Sequence, residues 1–291
     1  MTDRRPTILA VTAALLLAAG CGGGDEHTST EKAAKASSTA TAESASREVS
    51  ASVDGRELSG HCSGTQQEGS PAILLDSGMG GGQYELADLE KRFASRTLVC
   101  AYDRAGVGAS DPPAETPRPV SELVADLDSF AAAANVLPPY LLVGQSMGAN
   151  VVFMYAQAHP EKVAGFVAMN PVPPAETFIE AAKKVETKAE FSEERSFNRG
   201  ANDEDTSFQE PVLSDRLPSS MPYAVMFDED CDGDTEFCGR ILPPLAQTTR
   251  SLAAVGDGGR FVRAKGAGHS IFAVDPELVQ ETINDVLNDT N

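Results

Sequence analysis

The stretch that most constrains this chain is Tyr140–Pro160, YLLVGQSMGANVVFMYAQAHP. An apolar run, Tyr140–Val143, halts at Gly144. A serine follows at 146, glycine returns at 148, and apolar residues then recur at helical spacing. A buried strand that turns this tightly into a helix would bring side chains at 144 and 148 into collision, so both must be small. The same turn lifts Ser146 above the strand end, where its hydroxyl can meet a substrate. A bare Gly-x-Ser-x-Gly also occurs in glycine-rich turns whose serine is incidental. The strand before this one and the helix after it make it informative.

The chain has 291 residues, 41% hydrophobic and 23% charged, enough for one core of the larger single-domain size. Its net charge of −20 disfavours nucleic acid and anionic membrane surfaces as partners and describes a solvated acidic surface. Residues 1–20 read as an address. Arg4 and Arg5 precede an apolar stretch, Ile8–Ala19, too short to span a bilayer. Leu17-Ala18-Ala19-Gly20-Cys21 resembles the lipobox of bacterial lipoproteins, with Ala18 where leucine is usual. That resemblance implies acylation of Cys21 and anchoring to the outer face of the cell membrane; ordinary cleavage would release a secreted product. Residues 21–46, rich in Ala, Ser, Thr, Glu and Lys without apolar period, are expected to form a flexible tether to a domain spanning 47–291.

Export changes how the remaining cysteines read. Cys62, Cys100, Cys231 and Cys238 are even in number, as expected of two disulfides outside the cytoplasm. Cys231 and Cys238 bracket the short loop CDGDTEFC and pair locally, leaving Cys62 for Cys100. No cysteine or histidine cluster has metal-ligand spacing, so no metal is expected.

Along the domain, Val49, Ala51 and Val53 alternate with polar residues, Asp54-Gly55 turns the chain, and Leu58–Cys62 runs back as a hairpin. Strands are then expected at 71–76, 97–102, 140–143, 163–169, 223–227 and 260–265. Helices are expected between them, including one near 242–254 and one opening at Asp275-Pro276. The alternation predicts an α/β fold: a mostly parallel sheet with helices on both faces. Residues 171–220, long, charged and Pro-punctuated, interrupt the rhythm as a small insertion. Phe178, Phe191, Phe197 and Phe208 within it either pack it to the core or line a pocket.

A serine hydroxyl needs a base. Of four histidines, His269 lies in Lys265-Gly266-Ala267-Gly268-His269-Ser270, after the last strand and before the last helix, where a loop can reach Ser146. The acid that orients it belongs between the two in chain order, after strand 223–227. Asp230, three residues past that strand, is preferred, and Asp228, Glu229 and Asp232 stay open. The oxyanion donors expected are the N–H groups of Met147 and, in Ser77-Gly78-Met79-Gly80, of Met79.

These segments resemble the α/β-hydrolase fold family from about Arg47 onward. Ser77-Gly78-Met79-Gly80 looks like its oxyanion loop with serine for histidine. Asp103-Arg104-Ala105-Gly106-Val107-Gly108-Ala109-Ser110 looks like its Asp-x-x-Gly-x-Gly-x-Ser segment, and Gly144-Gln145-Ser146-Met147-Gly148 and Gly268-His269 match its nucleophile and base. The insertion at 171–220 falls where the family places a lid; the family's Gly-x-x-Asp acid motif is absent. The resemblance implies a cofactor-free serine hydrolase acting on a small ester or acyl substrate, most simply a carboxylesterase. A peptidase, a thioesterase and a cofactor-free haloperoxidase share the fold. A catalytically silent envelope binding protein is the alternative of a different class.

Overall fold

The alternation of apolar runs and amphipathic stretches folds into an eight-stranded sheet. The strands are β1 Ser46–Val53, β2 Arg56–Ser63, β3 Ala72–Asp76, β4 Val99–Tyr102, β5 Tyr140–Gln145, β6 Val163–Met169, β7 Tyr223–Asp228 and β8 Gly259–Ala264. They lie side by side in the order β1-β2-β4-β3-β5-β6-β7-β8. β2 runs antiparallel to β1 and β4, and every other neighbouring pair is parallel. The helices are α1 Ala87–Phe93, α2 Val120–Ala133, α3 Met147–Ala158, α4 Thr235–Leu252, α5 Ile271–Val274 and α6 Pro276–Asp289. The structure is a computed structural model that describes residues 46–116, 118–172, 206–207, 217–230 and 235–290. The expected signal peptide, nearly all of the tether, most of the 171–220 insertion with its phenylalanines, Asp232 and the Cys231–Cys238 pairing lie outside the described residues.

Strands β3 and β5 are buried along their whole length because both faces of the sheet are covered. Successive side chains supply two cores. Leu74 and Leu142 join the layer under α2 and α3, while Ile73, Leu75, Leu141 and Val143 join the layer under α1 and α6. The β1–β2 hairpin turns at Asp54 (φ 49°) and Gly55 (φ 78°), both left-handed as a two-residue hairpin loop requires. Cys62 and Cys100 face each other across β2 and β4 and form the expected disulfide.

Asp103, just past β4, fastens the carboxyl end of the sheet. Its Oδ1 accepts from Gln83 N at 2.7 Å and its Oδ2 from Ala109 N at 3.0 Å. Ser110 Oγ donates to Asp103 O at 2.6 Å and accepts from Ser59 N at 2.9 Å. The Asp-x-x-Gly-x-Gly-x-Ser segment is thus a knot joining the loops after β3 and β4.

Two boundaries differ from expectation. Helix α4 begins at Thr235, about two turns before the expected start near 242, and carries Pro243 and Pro244 inside it. A proline removes one donor to the carbonyl four residues back, so this pair forfeits the ladder to only two residues and the turns ahead of it persist. Strand β7 extends through Asp228, which pairs in register with Ala264. Among the described residues no helix is long and apolar enough to cross a membrane.

Candidate active site

Ser146 stands between β5 and α3 with φ 54° and ψ −116°, a left-handed backbone that a non-glycine residue holds only when its surroundings enforce it. The enforcement is visible. Ser146 N donates to Met169 O at 2.8 Å, and Ala149 N closes the first helical turn on Ser146 O at 3.0 Å. A β-carbon on Gly144 would lie 2.2 Å from Gly148 O, and one on Gly148 would lie 2.1 Å from Asp76 O and 2.5 Å from Ser77 O. Both positions must therefore be glycine. At 144 the collision is with residue 148, as the tight turn implies, whereas Gly148 is bare so that α3 can press onto the end of β3. Ser146 keeps 8% of its surface open, and its side chain makes no cap on the helix it precedes.

The loop after β3 arrives beside the serine. A β-carbon on Gly78 would fall 2.3 Å from Gln145 Oε1 and 3.5 Å from Ser146 Cβ, so glycine's missing side chain permits the approach. Beneath the loop lies Arg104, 1% exposed. Its guanidinium pairs with Asp76 Oδ1 and donates to Ser77 O at 2.7 Å and Gly78 O at 2.5 Å. Tyr102 OH donates to the other Asp76 oxygen at 3.1 Å. Burial, with the Asp76 charge, pushes the Tyr102 phenol well above the usual tyrosine range, so it stays a donor.

His269 follows β8 and is held by its main chain. Gly268 N donates to Asp228 Oδ2. Asn170 Nδ2 donates to Gly268 O at 3.0 Å and His269 O at 2.9 Å, and Gln145 Nε2 donates to His269 O at 3.3 Å. The residue before the serine thus touches the residue expected to be its base. His269 keeps an open solvent-facing side, yet enough protein surrounds the ring that desolvation lowers its pKa below the usual histidine value.

The acids after β7 separate clearly. Asp228, 5% exposed, turns inward to the His269 loop and also accepts Asp230 N on Oδ1 at 2.8 Å. Asp230, preferred from spacing, turns to Arg263, whose Nη2 lies 3.0 Å from its Oδ1 at the exposed rim. Glu229 pairs with Arg250 and Arg263. Spacing pointed to Asp230 because β7 is one residue longer than its apolar run. A strand that ends in a buried aspartate reads, in sequence, as one that has already stopped.

Two residues were not singled out from sequence. Asn170, at the end of β6, has φ 46° and is 5% exposed. Besides its bonds to the His269 loop, its Oδ1 accepts Asp228 N at 3.2 Å, so one amide links the ends of β6, β7 and β8. Asn tolerates the left-handed region better than other non-glycine residues, and that is the only signal it carried. Arg104 was visible only as the second residue of a motif. Among the described residues no three His, Cys, Asp or Glu side chains are grouped as a metal would require.

The model of a family described as the alpha/beta hydrolase fold matches residues 71–221, just over half of the 291. A Bacillus subtilis protein, YqjL, is 25% identical over 213 residues, covering 69% of this chain and 76% of its own length. A proline iminopeptidase from Arabidopsis thaliana is 31% identical over 103 residues, 34% of this chain and 26% of that enzyme. A solved esterase from Thermogutta terrifontis superposes with a TM-score of 0.61 at 18% identity, over 84% of this chain and 99% of that one. With the strand order, the strained serine between β5 and α3, and the histidine after β8, these matches make this chain a member of the α/β-hydrolase fold family.

Proposed function

We propose that the chain is a serine hydrolase that cleaves carboxylic esters through an acyl-enzyme on Ser146. The observation that carries the reading is convergence at the serine: Gly78 lies against it, and Gln145, its neighbour in sequence, holds the His269 carbonyl. His269 takes the proton as Ser146 Oγ attacks the ester carbonyl, then returns it to the departing alcohol. The N–H groups of Met79 and Met147 hold the negative oxygen of the tetrahedral intermediate. Water, deprotonated by the same imidazole, attacks the acyl-enzyme, releases the acid and restores the serine. We assign the orienting acid to Asp228 in place of Asp230, because Asp228 faces the histidine loop while Asp230 is engaged by Arg263. This chemistry needs no cofactor beyond these residues.

Hydrolysis of p-nitrophenyl esters of increasing acyl length, with Ser146→Ala as control, tests the reading. Ser146-dependent turnover and labelling by a fluorophosphonate support it. Turnover confined to amino-acyl p-nitroanilides would favour the peptidase chemistry of the iminopeptidase relative. No Ser146-dependent adduct would identify a silent binder. Export and acylation at Cys21 belong to the same proposal, and loss of radiolabelled palmitate incorporation in Cys21→Ser checks them.

A further inference from the structure

An oxyanion donor at Met79 must have its N–H aimed at the developing negative oxygen, and loop backbone does not hold such an orientation unaided. A peptide unit is planar and trans, so its C=O and N–H point in opposite directions. Fixing the Gly78 carbonyl therefore fixes the Met79 N–H. Arg104 does this from below: its Nη1 and Nη2 donate to Ser77 O and Gly78 O at 2.7 and 2.5 Å, and Gly81 N adds a second donor to Gly78 O at 3.1 Å. The guanidinium is itself fixed by Asp76, with both side chains 1% exposed. Asp76 in turn is the last residue of β3, held by Tyr102, and its carbonyl lies against Gly148 at the start of α3. The rigid fork of an arginine can bind one carboxylate and two carbonyls together; a lysine ammonium on a flexible stem cannot reproduce that geometry.

We propose that Arg104 is a positioning residue for transition-state stabilisation: by binding the carbonyls of Ser77 and Gly78 it turns the Met79 N–H toward Ser146. It touches no substrate and transfers no proton. Its buried pairing with Asp76 serves to orient the fork. Desolvated charge pairs of this kind are weak contributors to net stability, so a service to geometry is the better account of a fully buried ion pair directly beneath this loop. The inference rests on the serine hydrolase reading and adds to it the device that sets one oxyanion donor.

The test compares wild type with Arg104→Lys, which keeps the charge opposite Asp76, with Arg104→Gln, which keeps a donor but not the fork, and with Thr97→Val, which removes a partly buried hydrogen bond to Pro71 O at the opposite end of β3. The substrate is a p-nitrophenyl ester, and the second probe is an aryl boronic acid, whose adduct on Ser146 mimics the tetrahedral intermediate. Losing one oxyanion donor typically costs about 100- to 1,000-fold in kcat, so a misaimed one is expected to cost about 10- to 100-fold. In both Arg104 variants kcat and boronate affinity should fall together by that factor, with KM within about threefold and the pH midpoint of kcat/KM unmoved. Thr97→Val should retain kcat. An Arg104→Lys enzyme that is folded by circular dichroism and keeps wild-type kcat and boronate affinity overturns the proposal. So does a loss confined to KM, or one shared equally by Thr97→Val. If wild type itself shows no Ser146-dependent hydrolysis or boronate binding, the hydrolase reading fails first and takes this inference with it.

Discussion

Asp228 Oδ2 accepts a hydrogen bond from the backbone N–H of Gly268, so the last residue of β7 grips the loop that carries His269 one residue upstream of the imidazole. A buried carboxylate in that position has lone pairs left for the ring as well as the main chain. Replacing it by asparagine retains shape while removing the charge that would stabilise an imidazolium. Asp228→Asn is expected to lower kcat by about 10³- to 10⁴-fold, as loss of the orienting acid does in other triads. Asp230→Asn, which breaks only a rim ion pair with Arg263, should change it by less than about threefold. Steady-state ester hydrolysis on the two variants decides the assignment, and the opposite ranking would return the role to Asp230.

With His269 as the proposed base, the pH dependence follows from its titration. The base must be neutral to accept the serine proton, and desolvation favours its neutral form. Activity is therefore lost only when pH falls through a pKa depressed below the ordinary 6.5. A kcat/KM profile of the wild-type enzyme should rise to a plateau with its midpoint below that value; a midpoint above it contradicts the site as drawn.

Asn170 ties three strand ends with one amide, donating to Gly268 O and His269 O and accepting from Asp228 N. Asn170→Ala strips buried main-chain groups of their partner and should cost about 1–3 kcal/mol in urea denaturation. It should also lower kcat more than it raises KM, because the imidazole loses its footing. Asn170→Asp places a carboxylate against two carbonyl oxygens and should be the more damaging of the two on both measures.

Gly148→Ala puts a methyl 2.1 Å from Asp76 O and 2.5 Å from Ser77 O, both backbone atoms at the end of a central strand. Neither can yield without moving β3 or α3. The expected cost is about 3 kcal/mol or more, the upper end of overpacking, seen as a large fall in Tm or failure to accumulate folded protein.

Cys62 and Cys100 close a loop with a sequence separation of 38 between adjacent strands. On the chain-entropy account a bridge of that span contributes about 4 kcal/mol. The double Cys→Ala variant, or wild type under reducing conditions, should unfold at a correspondingly lower urea concentration.

The elbow was legible in the sequence because its parts are contiguous: an apolar run, two obligatory glycines and a helix describe Ser146 without reference to the rest of the chain. The strand–helix alternation was legible for the same reason, since burial on both faces leaves continuous apolar runs such as Ala72–Leu75 and Tyr140–Val143. His269 could be singled out by its place between the last strand and the last helix. Residues placed by long-range polar contacts were only partly legible. Asp228, Glu229 and Asp230 are adjacent and alike in type, and only the pairing of β7 with β8 decides which one turns inward. Asn170 and Arg104 bond to main-chain carbonyls far away in the chain, and such acceptors have no side-chain identity for a pattern to record. Local spacing thus determined where a nucleophile could stand. The tertiary structure decided what surrounds it, because directional hydrogen bonds between distant backbones exist only once the sheet has brought its strand ends together.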